Sequence, residues 1–549
     1  MRSSMQDFPL TVGSIMRHGV DVFGDHEVVT LVDGGSRRRR TYLDLGERAA
    51  RLANGLRRLG VDGDQRVATF MWNNAEHVEV YLAAPSMGAV LHTLNIRLFA
   101  EQITYIANHA EDSVIVVDGS LVPVLGPLLA DMATVHTVLV TGSGDLSALA
   151  GTGKQILAYE DVLAGSSPSY RWPVDVDERS TAAMCYTSGT TGHPKGVAYS
   201  HRSCWLHSMA VCTTNNIGLG EGDRALPIVP MFHANAWGQP YAALMSGADL
   251  VMPDRFLQAE PLVGLIETER PTLSAAVPTI WNDILHFLRA SPGRDLSSLR
   301  AIMCGGSAVP RALIQAFDEE FGITIVQGWG MTETSPVAAV AKAPAGAVGE
   351  RAWDYRAKAG RLLFGVEGRI VDDTGAVQPR DGKAVGEVQV RGPWVTASYY
   401  RDDDPEKFDH GWLRTGDVGT LDPQGYITLT DRSKDVIKSG GEWISSVDLE
   451  GELMAHPAVL EAAVIGVPDE KWQERPLACV VVKDGATLDP AEIKAWLGDR
   501  VVKWWVPERW TIIDAVPKTS VGKFDKKVLR RAYADGDLTV IAPDEPAPA

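Results

Sequence analysis

The sequence predicts an α/β protein: a large N-terminal domain of parallel α/β subdomains with a small β subdomain, then a smaller α+β C-terminal domain. Strand-like and helix-period segments alternate at close spacing through most of the chain, the pattern of largely parallel sheets. Two short apolar runs, Ala301-Ile302-Met303-Cys304 and 323–326, end in glycine-rich tips, where open α/β sheets bind ligands. From Gly360 the texture changes to short alternating strands separated by turn residues. A chain of 549 residues is too long for one core. The charged break Asp431-Arg432-Ser433-Lys434-Asp435 marks the main boundary, giving domains 1–431 and 432–549.

The elements follow in order. After Thr41, Leu45, Ala49, Leu52, Leu56 and Leu59 recur at three- and four-residue steps, predicting a helix that Gly60 stops. Residues 66–71 read as a strand, 78–91 and 100–110 as helices, and 114–117 as a strand. The basic run Arg37-Arg38-Arg39-Arg40 reads as a solvated hairpin or turn with no assigned function. Residues 142–169, rich in Gly, Ser and Ala, are expected to be surface loop. Residues 227–238 mix apolar, aromatic and amide side chains without periodicity, as either a pocket lining or a packed core turn does. A helix at 262–269 and a strand at 272–276 come next, and the β subdomain strands fall at 368–372, 386–390 and 425–429. The Pro-rich tail from 542 is expected to be disordered.

Composition excludes several classes. Lys and Arg number 52 against 70 Asp and Glu, a net charge of −18, which argues against nucleic acid and anionic membranes as partners. Five scattered cysteines without a Cys-x-x-Cys pair fit a reducing cytosol. The N-terminus lacks a signal-peptide pattern, and no apolar run reaches the roughly 20 residues that span a bilayer. The expectation is a cytoplasmic protein.

One stretch carries the chemistry: Thr187-Ser188-Gly189-Thr190-Thr191-Gly192-His193-Pro194-Lys195-Gly196. Its glycines let successive backbone N–H groups point into one concavity. Its four hydroxyls and the Lys195 ammonium add donors and charge suited to phosphate oxygens. The Walker loop is excluded, because Pro194 precedes the lysine and Gly196-Val197 follows it where Ser or Thr would open a helix.

With four further motifs this loop resembles that of the adenylate-forming acyl-CoA synthetases. Gly330-Met331-Thr332-Glu333-Thr334 is similar to the family's adenine and magnesium motif, and Arg414-Thr415-Gly416-Asp417 to its ribose motif. Asp431-Arg432-Ser433-Lys434-Asp435 resembles the hinge, and Pro517-Lys518-Thr519-Ser520-Val521-Gly522-Lys523 the catalytic-lysine motif. The resemblance runs over nearly the whole chain. Within the family, 229–237, 438–446 and Lys503-Trp504-Trp505 look most like fatty-acid and methylthioalkanoate CoA ligases.

The resemblance implies a mobile C-terminal domain and an ATP-, Mg²⁺- and coenzyme A-dependent acid–thiol ligase that forms an acyl-adenylate. It implies that Lys523, Glu333, Thr187 and His233 are catalytic, with Thr187 and Glu333 holding Mg²⁺. ATP would be bound by Thr187, Ser188, Gly189, Thr190, Thr191, Gly192 and Lys195 at the phosphates, and by Asp417 at the ribose. Gly305, Gly306, Ser307, Gln327, Gly328, Trp329, Gly330, Met331, Thr332 and Glu333 would surround the nucleotide, with Arg432, Lys434, Lys438 and Lys523 completing the set. Trp329 stands where the family has a tyrosine against adenine.

His233, Asn235, Trp237, Gly305 and Gly330 would line the acyl pocket, with Trp237 as its gate. Lys438, Ser439, Gly440, Gly441, Glu442 and Trp443 would meet coenzyme A, and Lys434 would be the hinge about which the small domain rotates between half-reactions. The absence of an obvious charge in the acyl segments favours an apolar tail over an amino acid, and the reading taken is a medium- or long-chain fatty acid over a short, methylthio- or branched acid. Transfer to a carrier protein and a silent nucleotide-binding scaffold are the alternatives. A homodimer fits the family, although no sequence feature defines an interface. Lys518, Lys526 and Lys527 read as solvated lysines.

Overall fold

The computed structural model describes the chain apart from residues 2, 188–192, 403, 433–434, 436, 440–441, 470, 484, 520–522 and 542–549. The inner phosphate loop, the Lys434 hinge, Gly440-Gly441 and the C-terminal tail therefore lie outside the described residues, as do the side chains of Arg432, Glu442 and Trp443.

Among the described residues, seven strands form one sheet in the order Gln155–Ala158, Thr137–Thr141, Asp112–Asp118, Arg66–Phe70, Val90–Thr93, Thr181–Tyr186 and Gly196–Ser200. All neighbours are parallel except the last pair, which flanks the phosphate loop. A second sheet has fourteen strands. Its parallel part runs from Glu27–Leu31 through Asp249–Met252, Arg224–Pro227, Leu273–Ala276 and Ala301–Gly305 to Thr324–Gly330. Val337–Ala341 then turns back antiparallel and pairs with Gly360–Leu362, so the small β region continues the same sheet. Among the described residues a third sheet of five strands begins at Ile437–Ser439.

Helix Tyr42–Arg58 follows the periodicity, with a capping box from Thr41 and Asp44 and buried Leu45, Ala49, Leu52 and Leu56. The helix expected at 78–91 is instead Ala75–Ser86, and Val90–Thr93 is a strand. Gly88, at φ +92°, turns the chain between them. That helix is buried on every side, so apolar periodicity could not mark its ends. The expected loop at 142–169 contains the edge strand Gln155–Ala158 and helix Tyr159–Ala164.

The arginine run is a hairpin strand, Arg37–Thr41, whose partly exposed side chains are ion-paired to buried carboxylates. Alternation sends Arg37 and Arg39 to the buried carboxylate of Glu269, at 3.2 and 2.9 Å. Arg38 and Arg40 turn to the other face, toward buried Glu76 and Glu79. In the small lobe Lys526 is buried rather than solvated, 2.7 Å from Glu450, and Lys518 pairs with Glu461 at 2.7 Å. Among the described residues no helix is long and apolar enough to cross a membrane.

Candidate active site

The cleft forms where strand ends converge. Thr187 and Lys195 close the base of the phosphate loop: the Thr187 N–H donates to the Lys195 carbonyl at 3.0 Å, and the Lys195 N–H donates to Thr187 Oγ1 at 3.1 Å. His193 stacks on Tyr105, with ring centroids 4.4 Å apart, and supports the loop's downstream limb. The Lys195 ammonium contacts Asp404 directly and lies 3.7 Å from Asp402. Partial burial acts to lower its pKa, but the hydrogen bond and charge of Asp404, with Asp402 behind it, raise it overall.

The glycine tips have steric reasons. A Cβ at Gly305 would stand 2.4 Å from the Gly328 carbonyl oxygen, and one at Gly330 would meet that of Pro336 at 1.8 Å. Strands Ala301–Gly305 and Thr324–Gly330 can therefore end side by side only with glycine there. Gln327 braces these tips: its side chain accepts from the Val309 N–H at 2.8 Å and donates to the Lys358 carbonyl at 2.6 Å. Gly306 and Gly328 are half-buried, while Ser307 is exposed at the rim. The Met331 N–H is taken by Thr334 Oγ1 at 2.9 Å and the Pro336 carbonyl at 3.2 Å. The Thr332 carbonyl accepts from the Tyr199 hydroxyl at 2.6 Å.

Glu333 is buried, and its Oε1 accepts from the Tyr399 hydroxyl at 2.6 Å. The buried Trp329 indole N–H donates to Asp417 Oδ2 at 2.8 Å. The tryptophan at the adenine position is thus tied to the expected ribose carboxylate, 88 residues away in sequence.

The segment after Met231 adopts an uncommon backbone. Ala234, Asn235, Ala236, Trp237 and Gly238 all have positive φ, at 43°, 51°, 48°, 56° and 75°. A left-handed turn costs about 1–2 kcal/mol per L-residue, so the surrounding packing must enforce it. It sets the Trp237 ring 3.5 Å from where a Gly305 Cβ would lie. Asn235 is buried, accepts from the Cys185 thiol at 3.0 Å, and lines a cavity of about 10 Å³ with Tyr199, Cys204, His207 and Tyr241.

Lys523 arrives from the small lobe. The Thr519 N–H donates to its carbonyl at 2.7 Å, and Thr519 Oγ1 accepts its N–H at 3.2 Å. Its Cε lies 3.7 Å from the position of a Gly306 Cβ. His233 shares this corner; burial, with the Lys523 charge added, pushes its pKa down to about 3, so the imidazole is neutral. Lys438 is exposed, with its N–H donating to Glu474 at 2.9 Å. Ser439 is buried beneath it and accepts from Arg475 at 3.2 Å.

Tyr399, Tyr199, Asp402 and Asp404 join the site without a sequence signal of their own. The run Tyr399-Tyr400-Arg401-Asp402 has no periodicity or motif shape to flag it.

Glycine-lined strand ends in one lobe and a lysine reaching them from another define a two-lobed α/β nucleotide enzyme. The chain belongs to the AMP-binding enzyme family: that family's model matches residues 16–400, and the AMP-binding enzyme C-terminal domain matches 448–523. A 3-methylmercaptopropionyl-CoA ligase of Ruegeria pomeroyi is 42% identical over 538 residues, 97% of this chain and 99% of that protein. A long-chain-fatty-acid–CoA ligase of Thermus thermophilus is 44% identical, over 97% of each. Among solved structures, an anthranilate CoA ligase in complex with anthranoyl-AMP superposes with a TM-score of 0.87 at 26% identity, covering 98% of this chain and all of that one.

Proposed function

We propose that this chain activates a medium- or long-chain fatty acid with ATP and passes it to coenzyme A. It is an AMP-forming acid–thiol ligase. The carboxylate oxygen attacks the α-phosphorus, giving acyl-adenylate and pyrophosphate; the coenzyme A thiol then attacks the acyl carbon and AMP leaves.

The observation that carries this reading is Lys523 beside Gly306, with its charge felt at His233. Carboxylate and triphosphate repel each other, and a lysine at their meeting point offsets the charge that builds during attack. The neutral His233 can hydrogen-bond the carboxylate without adding charge. Lys195 would hold the β/γ phosphates and Asp417 the ribose. The Glu333 carboxylate and Thr187 hydroxyl are hard oxygen donors that fit Mg²⁺, and with phosphate oxygens they would hold it. When bound, Mg²⁺ would neutralise phosphate charge. The lobe boundary after residue 431 and the coenzyme A-facing role of 438–443 belong to the same proposal.

A methylthio- or short-acid ligase is the second reading. The position of the Trp237 ring, 3.5 Å from where a Gly305 Cβ would lie, is compatible with it. Coenzyme A-dependent AMP release across acids of graded length and polarity separates the two. Each buried CH₂ is worth about 0.8 kcal/mol, close to fourfold in kcat/KM. A steady rise with length supports the fatty acid; a peak at three- or four-carbon acids or their methylthio derivatives selects the second reading.

A further inference from the structure

One strap of chain touches both groups that the proposed chemistry needs at the phosphates, and we infer that its Tyr399 is a positioning residue that sets Glu333 and Lys195 for metal-bound ATP. The inference rests on reading the cleft as the ATP site. The Tyr399 hydroxyl donates to Glu333 Oε1 at 2.6 Å, while the Lys195 ammonium lies 5.0 Å from its ring centroid. A single buried side chain thus joins the candidate metal ligand to the candidate phosphate ligand, which are 138 residues apart in sequence.

The strap cannot drift. The Thr396 N–H donates to the Glu333 carbonyl at 2.8 Å, and the Tyr400 N–H donates to the Gly196 carbonyl at 2.8 Å. Tyr399 is therefore pinned on one side to the backbone of Glu333 and on the other to the residue after Lys195. Phe408 packs edge-on against its ring at 5.6 Å.

Chemistry assigns the two parts of the phenol separate tasks. The hydroxyl orients the carboxylate through one lone pair of Oε1, leaving Oε2 and the remaining Oε1 lone pair as acceptors. The ring face offers its negative quadrupole to the ammonium and limits where Lys195 can reach.

Two variants divide these tasks. Tyr399→Phe keeps the ring and removes the hydroxyl. It should raise the Mg²⁺ concentration for half-maximal acid-dependent ATP–pyrophosphate exchange about tenfold, the scale of a hydrogen bond to a charged group, with KM for ATP at saturating Mg²⁺ changed less than twofold. Tyr399→Leu should raise both. Mn²⁺ binding in the presence of ATP, followed by electron paramagnetic resonance, should show the same weakening in Tyr399→Phe without turnover.

Unchanged Mg²⁺ and Mn²⁺ dependence in Tyr399→Phe overturns the inference. So does an equal fall in kcat for both variants with no change in half-saturation, which would mark a packing role. If the wild-type protein shows no acid-dependent exchange, the ligase reading fails, and the Mn²⁺ contrast between wild type and Tyr399→Phe still decides the Tyr399 assignment.

Discussion

Replacing Asp404 by asparagine should tighten ATP binding. Lys195 is not idle in the structure: Asp404 holds its ammonium directly and Asp402 lies at 3.7 Å. Phosphates that recruit Lys195 must displace these carboxylates. The Lys195 and Asp404 side chains are 32% and 26% exposed, so the pair belongs with partly solvated ion pairs, worth about 0.2–1 kcal/mol. At 1.4 kcal/mol per tenfold, removing the competitor should lower the ATP Kd by roughly 1.4- to 5-fold. Asp402→Asn, with its longer contact, should do less. The gain should shrink in about 0.5 M salt, where screening already weakens the pair. Isothermal titration with ATP at fixed Mg²⁺ reads it directly. Weaker binding by Asp404→Asn would make Asp404 a partner of the nucleotide or its cation and not a competitor for Lys195.

Three further outcomes follow from packing and charge. Glu269→Ala should destabilise the large lobe by about 3 kcal/mol in denaturant melts, since it strips a buried carboxylate from Arg37, Arg39 and Arg224; a neutral result would return the arginine run to the solvent. Asp254 has its pKa raised to about 6, first by burial and then by Asp118, with Asn74 bonded between the two carboxylates. A carboxyl group so raised binds its proton better in the folded state, so its contribution to stability is full below about pH 4 and lost as pH rises through 6. Asp254→Asn should therefore raise the melting temperature at pH 7, by roughly 1–3 kcal/mol in stability, with the gain vanishing near pH 4; asparagine also tolerates the φ of +52° there. Gly305→Ala should cost about 1–3 kcal/mol of stability and weaken ATP binding, because its methyl would force the Gly328 carbonyl away; an unaffected variant would show that the tips can part freely.

The sequence made local chemistry legible and left long-range pairing dark. Gly305, Gly330 and the Thr187–Gly196 loop announce themselves because glycine at a strand end has few other uses. Helix Tyr42–Arg58 was readable because one face is buried and one is wet, whereas Ala75–Ser86, buried throughout, gave no ends. Four consecutive arginines look solvated until alternation and distant glutamates are known, and Lys526 looks solvated until Glu450 appears across the small lobe. The Trp329–Asp417 bond and the Tyr399 bridge depend on partners that only folding brings together. The left-handed turn at 234–238 was hidden because four of its five residues are not glycine, and packing overrides their preference.

In the proposed reaction Lys523 crosses from the small lobe to serve the first half-reaction. Measured on Lys523→Ala, acid-dependent ATP–pyrophosphate exchange should disappear while coenzyme A still converts supplied acyl-adenylate to thioester at near wild-type rate. Equal loss of both half-reactions, or exchange that survives the substitution, would contradict it.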